Sequence, residues 1–303
     1  MSTLLELLTK HRAEPDSKRV FGLVVQGGGM RAVYSAAVLS TFIEYGLTEV
    51  FDHVVGSSAG GMNGAYFIAG QAEAVDVYTD DLTTKKFVNL ARLNKKVDID
   101  YVIDVALRQN TPLRIDKLES SRSKLHLVLT SETTSRRVVI SDHQQFKEIY
   151  EELRATSALP ILYDKIVPVG NGLYVDGGVA DLLPVDVAVG LGCTDIIVIM
   201  TRKVSSYHFD ARHTRLARSL MYHLARGHSK ELRKMLPTNE RILGRNLRLL
   251  TSPPKGTRIH LLEPSNEEML VTLGTTDKGE IEELAKLGVS DTESFLHNEL
   301  SSN

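Results

Sequence analysis

At 303 residues, 42% of them hydrophobic and 24% charged, the chain can bury a substantial core as one large α/β domain or two small ones. A formal net charge of −2 gives no reason to expect nucleic acid as a partner, and the single cysteine, Cys193, excludes an internal disulfide.

Residues 1–12 carry leucines at 4, 5, 7 and 8, interrupted by Glu6 and followed by no small-residue cleavage site. That pattern reads as a short helix docked on the body rather than a signal peptide. No apolar run approaches the ~18 residues of a transmembrane helix. The expectation is a cytoplasmic protein that touches membranes peripherally at most.

Residues 20–26 read as a strand ending at Gly27, Gly28 and Gly29, and 31–45 as a helix stopped at Gly46. Residues 51–55 form the next strand and 60–69 the next helix. This strand–turn–helix repetition implies parallel strands joined by crossover helices, with both marked turns at the ligand-binding edge of an open sheet. Residues 73–117 are polar and helical in pattern, with breaks at 94–98 and 110–112. Their apolar members (Val75, Val77, Leu82, Phe87, Val88, Leu90, Leu93) fit either a cap over a site or ordinary amphipathic packing.

Strands follow at 125–130 and 137–141, then a helix over 143–157 and two short strands, 166–169 and 173–175, around a glycine turn. Residues 195–201 are the cleanest buried strand of the second half, and the adjacent Cys193 reads as a structural thiol. A basic helical region, 208–236, a strand at 258–263 and a helix over 276–300 complete the chain. Arg202, Lys203, Arg212, Arg215, Arg218, Arg226, Lys230, Arg233 and Lys234 supply the basic character. They read as a solvated face, with attraction to anionic headgroups as the alternative. There is no internal repeat or linker, so one domain spans 1–303: a motif-bearing core over 20–193 with 194–303 packed on it.

Gly56-Ser57-Ser58-Ala59-Gly60 fits G-x-S-x-G, a sharp strand-to-helix turn that lifts the central serine, Ser58, toward the helix N-terminus. An activated serine needs oxyanion donors, and the amides of Gly27, Gly28, Gly29 and Met30 are unshielded candidates. The same glycines could cradle a phosphate, but they fit neither G-x-G-x-x-G nor a P-loop. A triad would need a late histidine, yet His208, His213, His223 and His228 lie in the basic region without an evident acid partner. Asp176, in Val175-Asp176-Gly177-Gly178, closes a strand at a glycine turn; a turn aspartate bonding its own backbone is the alternative. No Cys/His/Asp cluster has metal-ligand spacing, so no metal or other cofactor is expected.

Together, Gly27-Gly28-Gly29-Met30-Arg31, Gly56-Ser57-Ser58-Ala59-Gly60 and Asp176-Gly177-Gly178 resemble the patatin-like phospholipases. Thr156-Ser157-Ala158-Leu159-Pro160 is similar to that family's small-residue segment ending in proline. The resemblance covers about 20–193, with the motifs in family order. It implies a three-layer α/β/α fold and a Ser–Asp dyad without a catalytic histidine, acting on lipid esters. Carried over, Ser58 is the nucleophile and Asp176 the general base; Gly27–Met30 supply oxyanion amides, and Arg31 is the basic residue that follows them. Gly56, Gly60, Gly177 and Gly178 support the two turns. Ala32 departs from the pattern, standing where many members have another glycine; a helical residue there would tolerate the methyl. A non-catalytic acyl-binding protein and a nucleotide-binding protein are the other readings, and intact Ser58 and Asp176 weigh against both.

Overall fold

The computed structural model describes residues 3–16, 18–89, 91–92, 95–143, 148–163, 165–207, 215–236 and 240–299, with the backbone alone at 215–218, 240 and 241. The expectations at Leu90, Leu93, His208, Arg212 and His213 and the loop at 237–239 lie outside the described residues, as do the side chains of Arg215 and Arg218.

Short apolar runs build one sheet from β1 (Phe21–Val25), β2 (His53–Ser57), β3 (Lys124–Ser131), β4 (Arg137–Ile140), β5 (Val167–Val169), β6 (Gly172–Asp176), β7 (Asp195–Ile199) and β8 (Arg258–Leu262). The neighbours β3-β2-β1-β7-β8 are all parallel, while β4, β5 and β6 join antiparallel. Strand alternation sorts side chains between two cores. Phe21, Leu23 and Val25 of β1 face one layer, while Val24 faces the other together with Val55, Val128 and Val198.

Helices α1 (Leu4–Ala13), α2 (Val33–Glu44) and α3 (Ala59–Ile68) cover the first face with the long helix Lys278–His297. Helices Val185–Gly190 and Glu240–Thr251, neither of which the periodicity indicated, cover the second. The result is the expected three-layer α/β/α arrangement with a mainly parallel sheet. The N-terminal leucines dock as expected: Leu4 and Leu8 are buried, and a Thr3/Glu6 capping box starts α1. Cys193 is buried against Gly22, and burial pushes its thiol up to about 12, so it is no nucleophile.

The register around β3 has the largest consequence. β2 pairs with β3 through Ser57↔Val128 and then ends, while β6 pairs with β3 from Leu129↔Asp176 onward. β4 occupies Leu127–Thr130 of β3 from the other edge, so β6 takes the edge that β2 vacates. β2 and β6 therefore run toward each other along one edge of β3, and their ends meet. Their last residues, Ser57 and Asp176, pair with consecutive residues of β3.

Candidate active site

Ser58 stands at the head of α3 with φ 55° and ψ −135°. A non-glycine residue in that left-handed region is strained and persists only where its surroundings enforce it. Two features enforce it here. The Ser58 amide donates to Thr156 Oγ1 at 2.9 Å, and the Thr156 hydroxyl in turn donates to the Val128 carbonyl at 2.6 Å. On the other side, Gly56 and Gly60 let strand and helix close on each other: a Cβ at Gly56 would lie 2.6 Å from the Gly60 carbonyl.

The Ser58 hydroxyl donates to Asp176 Oδ2 at 2.8 Å. The second carboxylate oxygen accepts from the Gly178 amide at 2.7 Å. The backbone of Asp176 is pinned as well, its amide donating to the Ala158 carbonyl at 3.0 Å and its carbonyl accepting from Thr130 Oγ1 at 2.8 Å. Asp176 is only 3% exposed, and burial raises its carboxyl from 3.8 to about 7 against the opposing pull of the Ser58 and Gly178 hydrogen bonds. Gly177 packs where a side chain would strike the β3 backbone and Ser57 Oγ. The carboxylate thus faces the serine as well as its own turn.

The glycine turn lies beside this pair. A Cβ on Gly27 would come within 2.6 Å of the Ser57 carbonyl and 2.8 Å of Ser58 Cβ, so only glycine lets the turn approach the serine. Among the described residues, the amides of Gly27 and Gly28 have no hydrogen-bond acceptor. Met30 requires a correction. Its amide donates to the Leu273 carbonyl at 3.1 Å, and so it cannot also serve an oxyanion. The expected donor set shrinks to the glycines. Ala32 is already helical, with φ −72°, which accommodates its methyl as expected.

A cavity of about 340 Å³ opens over Ser58 and Asp176, within the usual range for small-molecule sites. Its wall is largely apolar, formed by Met62, Tyr66, Val77, Phe87, Leu107 and Leu273 among others. Residues from 73–117 therefore line the site rather than only packing on the sheet. Arg31 borders the same cavity, with neither an ion pair nor a side-chain hydrogen bond among the described residues; burial, and then the charge of Arg202, lower its guanidinium to about 10.

Two contributors were not foreseen. The backbone of Leu273, in the loop before the last helix, covers the glycine turn. Thr201 follows β7 and donates from Oγ1 to the Gly27 carbonyl at 2.9 Å. Thr156 belongs to the segment Thr156-Ser157-Ala158-Leu159-Pro160, but nothing in the sequence indicates its bridge from β3 to Ser58.

A family model described as patatin-like phospholipase matches residues 23–189, just over half of the chain. The chain belongs to the patatin-like phospholipase family. Among curated proteins, this patatin-like chain is 27% identical over 194 residues to the uncharacterized protein YjjU of Escherichia coli (strain K12), a match covering 61% of this chain and 53% of YjjU. It is 26% identical over 133 residues to the 1-acylglycerol-3-phosphate O-acyltransferase Pnpla3 of Mus musculus, covering 43% of this chain and 32% of that protein. The matches thus span about half and a third of these relatives' lengths. Among solved structures, VipD from Legionella pneumophila superposes with a TM-score of 0.52 at 12% identity, over 92% of this chain and 67% of VipD, which is a likeness of fold. Among the described residues, no helix is long and apolar enough to cross a membrane.

Proposed function

We propose that this chain is a serine acyl hydrolase of the lipase or phospholipase type. It would cleave carboxylic esters of lipids through Ser58, Asp176 and an acyl-enzyme. The observation that carries the reading is the 2.8 Å hydrogen bond from a strained serine to a buried carboxylate at the floor of an apolar cavity.

In this reading Ser58 Oγ attacks the ester carbonyl while Asp176 takes its proton. The electron pair of the carbonyl moves onto oxygen, where the free amides of the glycine turn and the positive end of the helix that follows it receive the charge. Collapse of the tetrahedral adduct breaks the bond to the leaving alkoxide, which takes the proton back from Asp176. Water then repeats the sequence on the acyl-enzyme and releases the carboxylic acid. A carboxyl near 7 suits this exchange far better than an ordinary aspartate at about 4, because a catalytic base works best near the ambient pH. A lipid hydroxyl in place of water would make the reaction a transfer, the activity in the name of the mouse relative.

A peripheral contact of a cytoplasmic protein with membranes fits the exposed Leu220 and Leu224 on the helix Arg215–Leu224, near the basic residues Arg226 and Lys230.

The test combines a fluorophosphonate probe with a short-chain ester. Labelling at Ser58 is expected, and turnover should fall at least ~10³-fold in both Ser58→Ala and Asp176→Asn. Folded protein that neither labels nor turns over would favour a non-catalytic acyl-binding protein.

A further inference from the structure

The cavity over Ser58 has a direction. Ala59, Met62, Asn63 and Tyr66 line it, and at steps of three and four residues they form one face of α3 leading away from Ser58. Val77 and Tyr78 of the segment Val77–Asp81, with Val102 and Leu107 of the segment Val102–Asn110, complete this part of the wall. Both segments are wound as π-helices, a rare form that recurs at functional sites.

Polar groups along this arm are engaged by the protein itself. Tyr78 Oη donates to Asn63 Oδ1 at 3.0 Å, and Asn63 Nδ2 donates to the Ala32 carbonyl at 2.9 Å. The far end is shut. Tyr66, the lining residue of α3 farthest from Ser58, donates from its hydroxyl to the Thr111 carbonyl. Gln71, just beyond α3, donates from Nε2 to the Pro112 carbonyl at 3.0 Å and accepts from the Arg114 amide at 2.7 Å. Residues 111–114 are thereby fastened across the end of the helix. Leu107 belongs to the same end, its carbonyl accepting from the Leu113 amide at 3.1 Å. Tyr66, Leu107 and the lining residue Ala74, which closely follows Gln71, are all buried.

The rise of α3 from Ser58 to Tyr66 is about 12 Å. An extended chain advances about 1.2 Å per bond. We propose that this arm is a closed acyl channel in which Tyr66 sets the chain length, an extended chain of about ten carbons reaching from Ser58 to the tyrosine ring. The channel deepens the acyl-hydrolase reading and rests on it for the ester, whereas the fit of the chain does not depend on turnover. Up to that length each added methylene passes from water to an apolar wall. Beyond it the chain must bend back or displace a ring that Thr111 holds.

The experiment uses the full chain and straight-chain nitrophenyl esters of increasing acyl length. For the wild type, kcat/KM should climb severalfold per methylene to about ten carbons and fall beyond. Tyr66→Ala should move the optimum about two to four carbons longer, and Ala74→Leu should move it shorter. Tyr66→Phe keeps the ring and should keep the optimum.

The first two variants change core volume in opposite senses, so thermal melts accompany the series. Where either fails to fold, the wild-type series still decides: a steady gain through about sixteen carbons, ~19 Å when extended, would overturn the channel. So would folded Tyr66→Ala and Ala74→Leu that keep the wild-type optimum, or Tyr66→Phe shifted as far as Tyr66→Ala. Calorimetry on Ser58→Ala with saturated fatty acids reads the fit without chemistry, and affinity should rise to the same length and no further. Length-limited binding with neither fluorophosphonate labelling nor turnover in the wild type would refute the hydrolase reading and leave the channel standing. Turnover with no length limit would do the reverse.

Discussion

Asp176 faces opposing demands from stability and chemistry. Burial holds its carboxyl protonated at pH values where free aspartate is ionised, yet a base must be ionised to accept the Ser58 proton. The rate of ester cleavage should therefore rise with pH through about 7 and level off above it, measured as kcat/KM for a neutral ester. The effect on stability has the opposite sign. Between 3.8 and about 7 the folded protein holds a proton that the unfolded chain has lost, so this contribution is complete below 3.8 and is lost as pH rises through about 7. Asp176→Asn should accordingly gain on the order of 4 kcal/mol over the wild type at pH 8, a gain that fades toward pH 4 in denaturant titrations. Equal stabilities at pH 8 would place the Asp176 carboxyl near its ordinary value.

Among the elements, the turn into α3 depends on a neighbour from outside its own strand and helix. Thr156 ends the helix Ile149–Thr156 and bridges the Val128 carbonyl to the Ser58 amide. Thr156→Val keeps the shape but leaves both backbone groups unpaired, at a cost of about 1–3 kcal/mol in urea unfolding. Turnover should fall by at least ~10-fold as well, because nothing else among the described bonds holds the Ser58 amide at its strained φ. Activity at the wild-type level would show that the glycines around Ser58 suffice.

The same contrast explains what the sequence made legible. Gly56, Gly60 and Gly27 are readable because each answers a local demand, a backbone approach that no side chain permits. Strands β1 and β7 are readable because continuous burial leaves nearly unbroken apolar runs. The engagement of the Met30 amide by Leu273 is not readable, since it depends on a carbonyl distant in sequence, in a loop with no motif. The helix Glu240–Thr251 escaped notice because it opens with charge, and its apolar residues Leu243, Leu247 and Leu250 make sense only against the second face of the sheet.

At the scale of the whole molecule, residues beyond the motifs are structural members of the site. The helix Lys278–His297 buries Ile281, Leu284 and Leu296, and a Cβ at Gly288 would lie 2.8 Å from the Tyr34 carbonyl of α2. Tyr34 Oη also donates to Asp291 Oδ2 at 3.0 Å. β7 and β8 complete the sheet, and Leu273 caps the glycine turn. We therefore propose that 1–303 unfolds as one cooperative domain. Calorimetry should give a single transition, and removal of residues 264–303 should yield insoluble or unfolded chain rather than an active core. A stable, fluorophosphonate-reactive fragment ending near residue 263 would overturn this.

β3 also acts as a ruler for the site. Ser57 and Asp176 pair with consecutive residues of that strand, so the end of β2, from which the chain passes directly to Ser58, lies a single strand increment of about 3.3 Å along β3 from the residue that bears the carboxylate. Motions of the surrounding helices, or an insertion in any loop between these strands, leave that graduation unchanged. A one-residue slip of β6 along β3 would instead turn the carboxylate to the opposite face of the sheet. The loops that shape the cavity are thus free to diverge in length and composition, while Ser58 and Asp176 keep their gauge.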